Sequence, residues 1–438
     1  ASAALILSRL FYLQVLNGKF YQSQVLGQQA GFKEVKGARG EIFLGKSNDS
    51  KGASNSEEVK SLAINEDKWN VYAINNEIND KGDFAGILSD KLRENKELII
   101  KKISEPITRV LIKKDITSDE IKELKNLNIT GLLFESSASR FYPQGNFASQ
   151  LVGFFGGMGS GQYGIEGYYN DILDGREGVL ENKRGLSAIN LKSAADDFDG
   201  SDLYLTIDYN IQFQAESLLS EAKKNIGIDS GQIIVLKPDS GRVLALANFP
   251  SFNPNEYSKE KNFDIFQNAV IQKIFEPGSV FKPFTVATAL NEGKANPETS
   301  FFDVGYVTIG PDTVHNFNNE KYGESNIPKI LEKSINTGAV FISQKIGRDT
   351  FSDYIDKFGF TDKTGIDLQG EVYSRNEILK KGSDFGFATA SFGQGIEMTP
   401  MELARAFCVF ANGGKIIRPY VVEKIASGSG EEVIKPHI

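Results

Sequence analysis

The sequence has 438 residues, of which 40% are hydrophobic and 24% are charged, and this balance excludes a wholly disordered chain and a membrane protein with many spans. Its net charge of −8 at pH 7 gives no favourable attraction to phosphates, so we expect no nucleic-acid partner. Cys408 is the single cysteine, and His315 and His437 are the two histidines, which excludes an internal disulfide and a Cys/His zinc site, so we expect no metal and no cofactor.

The chain begins with its longest apolar stretch, from about Ala3 to Leu16, interrupted by Arg9 and Gln14. A spanning helix needs about 20 apolar residues, so this stretch is too short to cross a membrane alone. One interpretation is an amphipathic surface helix. The other, which we favour, is that residues 1–16 are the remnant of an N-terminal membrane anchor, with the aromatic residues that follow suited to the lipid headgroups.

Residues 17–200 mix glycine-rich turns with short strands, and charged helical patterns occupy residues 86–127. We expect Ser118 to cap one of these helices. The glycine-rich passage 153–178 predicts turns rather than a phosphate loop, because no Lys-Ser or Lys-Thr follows the glycines. An acidic segment at residues 193–202 indicates a boundary.

Beyond that boundary the patterns predict an α+β domain with an antiparallel sheet. Asp208 follows a short strand pattern and can cap a helix. The apolar face predicted for that helix consists of Ile211, Ala215, Leu218, Leu219, Ala222 and Ile226. Two apolar runs joined by Asp239-Ser240-Gly241 predict a hairpin, and residues 415–426 predict a late strand.

The segment IFEPGSVFKPFTVATAL (274–290) contains a candidate nucleophile. Ser279 and Lys282 are three residues apart, so a helix that opens at Ser279 places them on one face. A neutral lysine amine can take the proton of a serine hydroxyl, and an apolar wall, to which Val280 and Phe281 are candidates, would lower the lysine pKa. From spacing alone, a helix-capping serine is the alternative that remains open.

The same Ser-x-x-Lys spacing also occurs at Ser220/Lys223 and at Ser258/Lys261. The first pair lies among the polar residues of a predicted helix and the second in a charged stretch. We expect both to be solvated surface pairs.

The motif EPGSVFKPF resembles the nucleophile motif of the class B penicillin-binding proteins, the monofunctional transpeptidases that cross-link peptidoglycan. Five further segments resemble that family in the same order: GSDLYLTIDYNIQFQAE (200–216), LKPDSGRVLALANFPSFNPNEY (236–257), LEKSINTGAVFISQKIG (331–347), GFTDKTGIDLQGE (359–371) and SFGQGIEMTPMELARAFCVFANGG (391–414). Upstream segments resemble the family's non-catalytic pedestal and the stretch just outside its anchor: GARGEI (37–42), SRFYPQGNFASQLVGFFG (139–156), GIEGYYNDILDGREG (164–178) and RLFYLQVLNGKFY (9–21).

The resemblance implies a penicillin-binding transpeptidase fold, an antiparallel sheet flanked by helices, preceded by an elongated α+β pedestal. We place the pedestal, a dimerisation-type domain, at residues 17–200 and the transpeptidase domain at residues 201–438. The family's third motif, Lys-Thr/Ser-Gly, falls after the segment that corresponds to residues 411–422, and the sequence ends before one appears. We therefore expect a C-terminally truncated domain, poorly stable and nearly inactive by itself.

The same resemblance assigns roles to individual residues. Ser279 is the nucleophile, Lys282 is the base that activates it, Ser334 relays a proton, and Asn336 holds a substrate amide. Lys363 belongs to a Lys-Thr-Gly sequence inside GFTDKTGIDLQGE, which is a loop in the family, so we expect a structural role for it.

The implied function is peptidoglycan D,D-transpeptidation through an acyl-serine intermediate, during elongation or division. The implied partners are peptidoglycan stem peptides, β-lactams and a membrane glycan polymerase of the shape, elongation or division type. The implied location is the cytoplasmic membrane, with a single-pass anchor and an extracytoplasmic catalytic domain. A non-catalytic scaffold of the wall-synthesis complex, a serine β-lactamase and a β-lactam sensor remain alternatives.

Five other residues receive structural predictions. We expect Trp69 and Cys408 in the core, with Cys408 inert, and His315 in a loop without a role as base. Arg39 and Arg140 are expected to hold the pedestal together rather than to contact substrate.

Overall fold

The structure is a computed structural model that describes residues 32–45, 60–181, 198–428 and 430–434. The predicted anchor at residues 1–16 lies outside the described residues. Within the described part of the chain, no helix combines the length and the apolar character needed to cross a membrane.

The described residues form an α+β fold, as predicted. The strands are β1 Phe32–Lys36, β2 Ile42–Leu44, β3 Ser61–Ile74, β4 Arg109–Ile116, β5 Leu132–Phe141, β6 Phe154–Phe155, β7 Gly161–Gln162, β8 Glu177–Glu181, β9 Asp202–Leu205, β10 Gly231–Leu236, β11 Val243–Phe249, β12 Ser300–Asp303, β13 Tyr306–Ile309, β14 Asp312–His315, β15 Gly323–Asn326, β16 Val422–Ser427 and β17 Gly430–Val433. The helices are α1 Lys81–Leu92, α2 Lys96–Ile103, α3 Ser118–Asn126, α4 Ser149–Val152, α5 Gly164–Tyr168, α6 Asn170–Leu173, α7 Tyr209–Ile226, α8 Ala269–Gln272, α9 Lys282–Asn291, α10 Ile327–Glu332, α11 Asn336–Ile346, α12 Arg348–Lys357, α13 Ile378–Lys381, α14 Asp384–Ala390 and α15 Pro400–Ala411.

A seven-stranded sheet runs through both halves of the chain in the order β17-β16-β9-β2-β3-β4, with β5 on the other side of β3. The β2/β9 pairing is parallel, with Ile42 opposite Leu203, and the other pairings in this sheet are antiparallel. Strand β2 precedes the predicted boundary at residues 200 and 201, and β9 follows it, so the sheet connects the two sides. The position of the boundary itself stays a prediction.

Three apolar clusters form most of the core. The pedestal cluster packs β3 and β4 against α1, α2 and α3. A second cluster unites pedestal residues such as Ile42 with residues such as Val421 from the C-terminal half. The third is rich in phenylalanine, and it surrounds α9, which carries Lys282 at its first position.

Helix α7 and the hairpin β10/β11 form largely as the sequence predicts. Asp208 caps α7 by accepting hydrogen bonds from the backbone N–H groups of Asn210 and Ile211. The predicted apolar face is too wide, because α7 packs on β11 through Ala215 and Leu219 while Leu218 and Ile226 are exposed. The late strand is also shorter than predicted, since β16 takes only the end of residues 415–426.

Two pedestal predictions need correction. The cap of α3 is Thr117 rather than Ser118, and Thr117 forms a reciprocal capping box with Glu120. Trp69 borders the pedestal core instead of lying within it, since it is only partly buried, and the Lys125 Nζ lies 4.5 Å from its ring centroid.

A buried ion cluster fixes the pedestal, as predicted for Arg39 and Arg140. Glu166 is fully buried and accepts hydrogen bonds from Arg39 Nε at 2.9 Å and Nη2 at 2.7 Å, and from Arg140 Nε at 2.7 Å. Tyr142 donates its hydroxyl to the same carboxylate at 3.2 Å. Removing one member would leave an unpaired buried charge, so these arginines stabilise the pedestal.

Candidate active site

Ser279 lies on a tight turn at the start of a buried helix. Residues Gly278–Phe281 form a 3₁₀ turn, and the α-helix begins only at Lys282, so the predicted helix does not open at Ser279. The turn depends on Gly278, whose φ of 64° is costly for other residues. The backbone N–H of Gly278 donates to the carbonyl of Gly393 at 2.8 Å, and this hydrogen bond holds the turn. The Ser279 side chain is exposed.

Lys282 lies buried beneath this turn, with only 1% of its surface exposed. Its Nζ lies 2.7 Å from Ser279 Oγ, 3.0 Å from Ser334 Oγ, 2.9 Å from the Ser334 carbonyl and 2.8 Å from Asn336 Oδ1. The structure therefore brings together all four residues that the sequence predicts for the site.

Burial sets the protonation of this amine. Desolvation lowers the pKa of Lys282 from 10.5 to about 8, because a charged ammonium loses its hydration inside the protein. An appreciable fraction of the lysine is then neutral near physiological pH, and a neutral amine can accept the Ser279 proton.

The apolar wall beside the amine differs from the predicted one. Phe281 is fully buried, as expected, but Val280 is 49% exposed and points away from the core. Phe392 contributes instead, since its ring centroid lies 5.9 Å from the Lys282 Nζ and its side chain is buried. Phe392 comes from a segment more than 100 residues downstream in the sequence.

Ser334 and Asn336 belong to the junction between α10 and α11. Ser334 adopts a left-handed φ of 54°, which costs roughly 1–2 kcal/mol for a residue other than glycine. This conformation turns both its carbonyl and its hydroxyl toward Lys282. Asn336 opens α11, and while its Oδ1 accepts from Lys282, its Nδ2 donates to the carbonyl of His315 at 3.0 Å.

The remaining candidates lie outside this constellation. Ser220, Lys223, Ser258 and Lys261 are all exposed, so both surface pairs are confirmed. Lys363 is exposed in a loop, and the following Thr364 is buried, where its backbone N–H donates to Glu371 at 2.7 Å. That loop role agrees with the prediction for Lys363.

The sequence predicts His315 in a loop, but this residue ends strand β14 with an exposed side chain. It contacts the site through its backbone carbonyl. Cys408 is buried as predicted, and burial raises the pKa of its thiol. Within the described ranges, no group of His, Cys, Asp and Glu side chains could hold a metal ion.

Sequence reasoning missed the residues that support the site from outside it. These residues are Asp303, Asn316, Phe392 and Gly393. Gly393 and Phe392 fall within the resemblance to SFGQG at residues 391–395, but no local pattern assigns them to the nucleophile. The only signal for Asp303 is a carboxylate in an otherwise apolar and aromatic segment, FFDVGY (301–306).

Comparison with known proteins identifies matching families over most of the chain. Residues 231–438 match the family described as the penicillin-binding protein transpeptidase domain. Residues 52–205 match the penicillin-binding protein dimerisation domain.

Two curated proteins are similar to this chain over most of its length. The chain is 30% identical over 416 residues to the probable peptidoglycan D,D-transpeptidase PbpC of Pseudomonas aeruginosa, covering 93% of this chain and 71% of that protein. It is 28% identical over 425 residues to stage V sporulation protein D of Bacillus subtilis, covering 95% of this chain and 64% of that protein. The chain thus spans less than two thirds of the length of the latter relative.

The fold matches a solved structure as well. Penicillin-binding protein 2X from Streptococcus thermophilus superposes with a TM-score of 0.71 at 23% identity, covering 93% of this chain and 63% of that one.

Proposed function

This chain belongs to the class B penicillin-binding proteins, and on that premise we propose that it is the catalytic part of a peptidoglycan D,D-transpeptidase that works through an acyl ester on Ser279. The observation that carries the proposal is the buried amine of Lys282, which lies 2.7 Å from Ser279 Oγ and has a pKa lowered to about 8. A serine hydroxyl is a poor nucleophile until a base removes its proton, and this amine is placed to remove it.

The first step would transfer the acyl group to the enzyme. Lys282 takes the Ser279 proton as Oγ attacks the carbonyl carbon between the two terminal D-Ala residues of a stem peptide. The backbone N–H of Ser279 lies at the start of the 3₁₀ turn, where it can stabilise the oxyanion that develops. The C–N bond then breaks, and the proton passes to the departing D-Ala amine.

The second step would transfer the acyl group to an acceptor. An amine of a second stem peptide attacks the Ser279 ester, loses a proton to the site, and forms the new amide as Oγ regains its hydrogen. Ser334 Oγ lies 3.0 Å from the Lys282 Nζ, so it can pass protons between the lysine and either amine. The Asn336 carboxamide can hold a substrate amide, because it offers both a donor and an acceptor.

The partners and the location are part of the same proposal. The family supports peptidoglycan and β-lactams as ligands. We propose further that a membrane glycan polymerase of the shape, elongation or division type supplies the glycan strands. The apolar stretch in residues 1–16 supports a membrane anchor, which would place the catalytic domain on the extracytoplasmic side.

A two-substrate assay on the full-length protein tests the proposal. A donor peptide that ends in D-Ala-D-Ala and a second peptide with a free amine are expected to give D-Ala and a cross-linked product in equal amounts. Ser279→Ala is expected to abolish both products, and Ser220→Ala, in the exposed pair on α7, is expected to change neither. Release of D-Ala by Ser279→Ala at the wild-type rate would refute the proposal.

Two further measurements distinguish a transpeptidase from a β-lactamase and from a non-catalytic scaffold. A transpeptidase is expected to keep a penicillin ester for many minutes, whereas a β-lactamase would hydrolyse it within a catalytic cycle. If the protein is a non-catalytic scaffold, the Ser279→Ala variant would complement loss of the gene as well as the wild-type protein does. Rapid penicillin turnover or full complementation by that variant would therefore favour an alternative.

A further inference from the structure

A buried carboxylate lies behind the site without touching the nucleophile or its base. Asp303, at the end of β12, is 2% exposed and accepts four hydrogen bonds. Its Oδ1 accepts from Thr337 Oγ1 at 2.7 Å and from the Gly305 N–H at 3.0 Å. Its Oδ2 accepts from Asn316 Nδ2 and from the Tyr322 N–H, both at 2.8 Å. A carboxylate with this many donors is fully satisfied although it is buried.

These hydrogen bonds tie residues 303–322 to the first turn of α11. The residue that precedes this helix, Ile335, has no side chain able to cap it. Asn316 supplies the cap from a distance, since its Oδ1 accepts from the Thr337 N–H at 3.1 Å. Asp303 in turn holds both Asn316 and Thr337, and its negative charge suits the positive end of the helix.

The same segment sets the orientation of the Asn336 carboxamide. His315, the neighbour of Asn316, accepts from Asn336 Nδ2 at 3.0 Å. That contact turns Asn336 Oδ1 toward the Lys282 Nζ, 2.8 Å away. A carboxamide rotated by half a turn would place one donor against another, so the His315 carbonyl selects the orientation that Lys282 needs.

We propose that Asp303 is a positioning residue of the acylation site, which fixes residues 303–322 against α11 and thereby holds Asn336 on Lys282. The inference rests on the proposed function and assigns one of its supporting residues. Asp303 does not contact the substrate. It acts through Asn316, Thr337 and the His315 carbonyl.

The test measures penicillin acylation in two parts, the dissociation constant before the covalent step and the rate constant of the covalent step. In Asp303→Asn, the new amide group faces two of the four donors and cannot accept from them. Thr337→Val deletes a single hydroxyl at nearly constant volume, and Thr337→Ser restores it. Asp312→Asn makes the same chemical change at an exposed position in β14 and serves as the control.

We expect Asp303→Asn and Thr337→Val to lower the acylation rate constant by about 10- to 100-fold, the range for a misplaced catalytic group. Thr337→Ser and Asp312→Asn are expected to stay within about threefold of wild type. The double variant Asp303→Asn/Thr337→Val should fall by much less than the product of the single effects, because both changes break one network.

A purely structural role gives a different result. Partial unfolding would lower the amplitude of acylation in proportion to the folded fraction and leave the rate constant of the folded molecules unchanged. That result, or wild-type rate constants in both Asp303→Asn and Thr337→Val, would overturn the inference and leave the proposed function intact. Absence of acylation in the wild-type protein would instead overturn the proposed function, and the inference with it.

Discussion

The pH dependence of acylation follows directly from the burial of Lys282. The amine accepts the Ser279 proton only when it is neutral, and desolvation places its pKa at about 8. We therefore expect the rate constant of acylation by a pH-stable β-lactam to rise with pH and to level off above the pKa of the lysine.

The expected increase in the acylation rate constant from one pH to the next follows from a single titration of Lys282 at this pKa. About 1% of the lysine is neutral at pH 6, about a tenth at pH 7 and about half at pH 8. The rate constant is therefore expected to rise about tenfold from pH 6 to 7, about fivefold from pH 7 to 8, and less than about twofold beyond pH 8.

The assay is rapid-quench acylation of the full-length protein, with the covalent adduct counted at each pH. Lys282→Met should remove the pH-dependent reaction almost completely. Lys223→Met removes the lysine of the exposed Ser-x-x-Lys pair on α7, and it should reproduce the wild-type curve. This pair of variants separates loss of the base from loss of a positive charge.

A different midpoint would refute the reasoning. A midpoint near the value of about 6.5 for an ordinary histidine, abolished in His315→Gln, would identify another base. A rate constant that does not change between pH 6 and 8 would show that loss of the lysine proton does not limit acylation.

Three further variants test the support of the site and the stability of the domain. Ser334→Ala removes the proton relay, and it should lower the acylation rate constant by about 100-fold with the β-lactam dissociation constant nearly unchanged. Gly393→Ala would place a Cβ 2.1 Å from the Gly278 carbonyl oxygen, so it should slow acylation more than about tenfold, whereas Gly413→Ala, with open space around it, should not. Burial raises the pKa of Glu402 from 4.5 to about 7, so the folded state holds a proton that the unfolded state has released, and stability falls as pH rises through that window. Denaturant unfolding at pH 5 and pH 8 should show that fall, on the order of 3 kcal/mol, and Glu402→Gln should remove most of it. Equal stability of the wild type at the two pH values would contradict this last prediction.

Local sequence patterns predicted the elements whose causes are local. Asp208 lies directly before the helix it caps, and the turn at residues 239–241 joins two neighbouring strands. The pairing of Ser279 with Lys282 also needs only three residues and one turn. Resemblance to a family then placed Ser334 and Asn336, which no spacing rule connects to Lys282.

Local patterns do not predict contacts between segments that are far apart in the sequence. Phe392 closes the wall beside Lys282 from more than 100 residues away, and Thr337 reaches Asp303 across 34 positions. The parallel pairing of β2 with β9 likewise joins segments about 160 residues apart. Periodicity also overestimated the buried face of α7, because the width of that face is set by what packs on it, not by the helix itself.

The backbone conformation around Ser279 also differs from the predicted one. A periodic pattern cannot distinguish a 3₁₀ turn from the first turn of an α-helix, so the exposure of Val280 was not predictable. The turn depends on Gly278 and on its contact with Gly393, which is a tertiary interaction.

Mass spectrometry of the acylated protein tests the central claim most directly. After brief exposure of the full-length protein to a β-lactam, the added mass should fall on the proteolytic peptide that contains Ser279. Ser279→Ala should carry no adduct, and Ser220→Ala should carry the same adduct as wild type. An adduct on a different residue, or one that persists in Ser279→Ala, would contradict the assignment of Ser279 as the nucleophile.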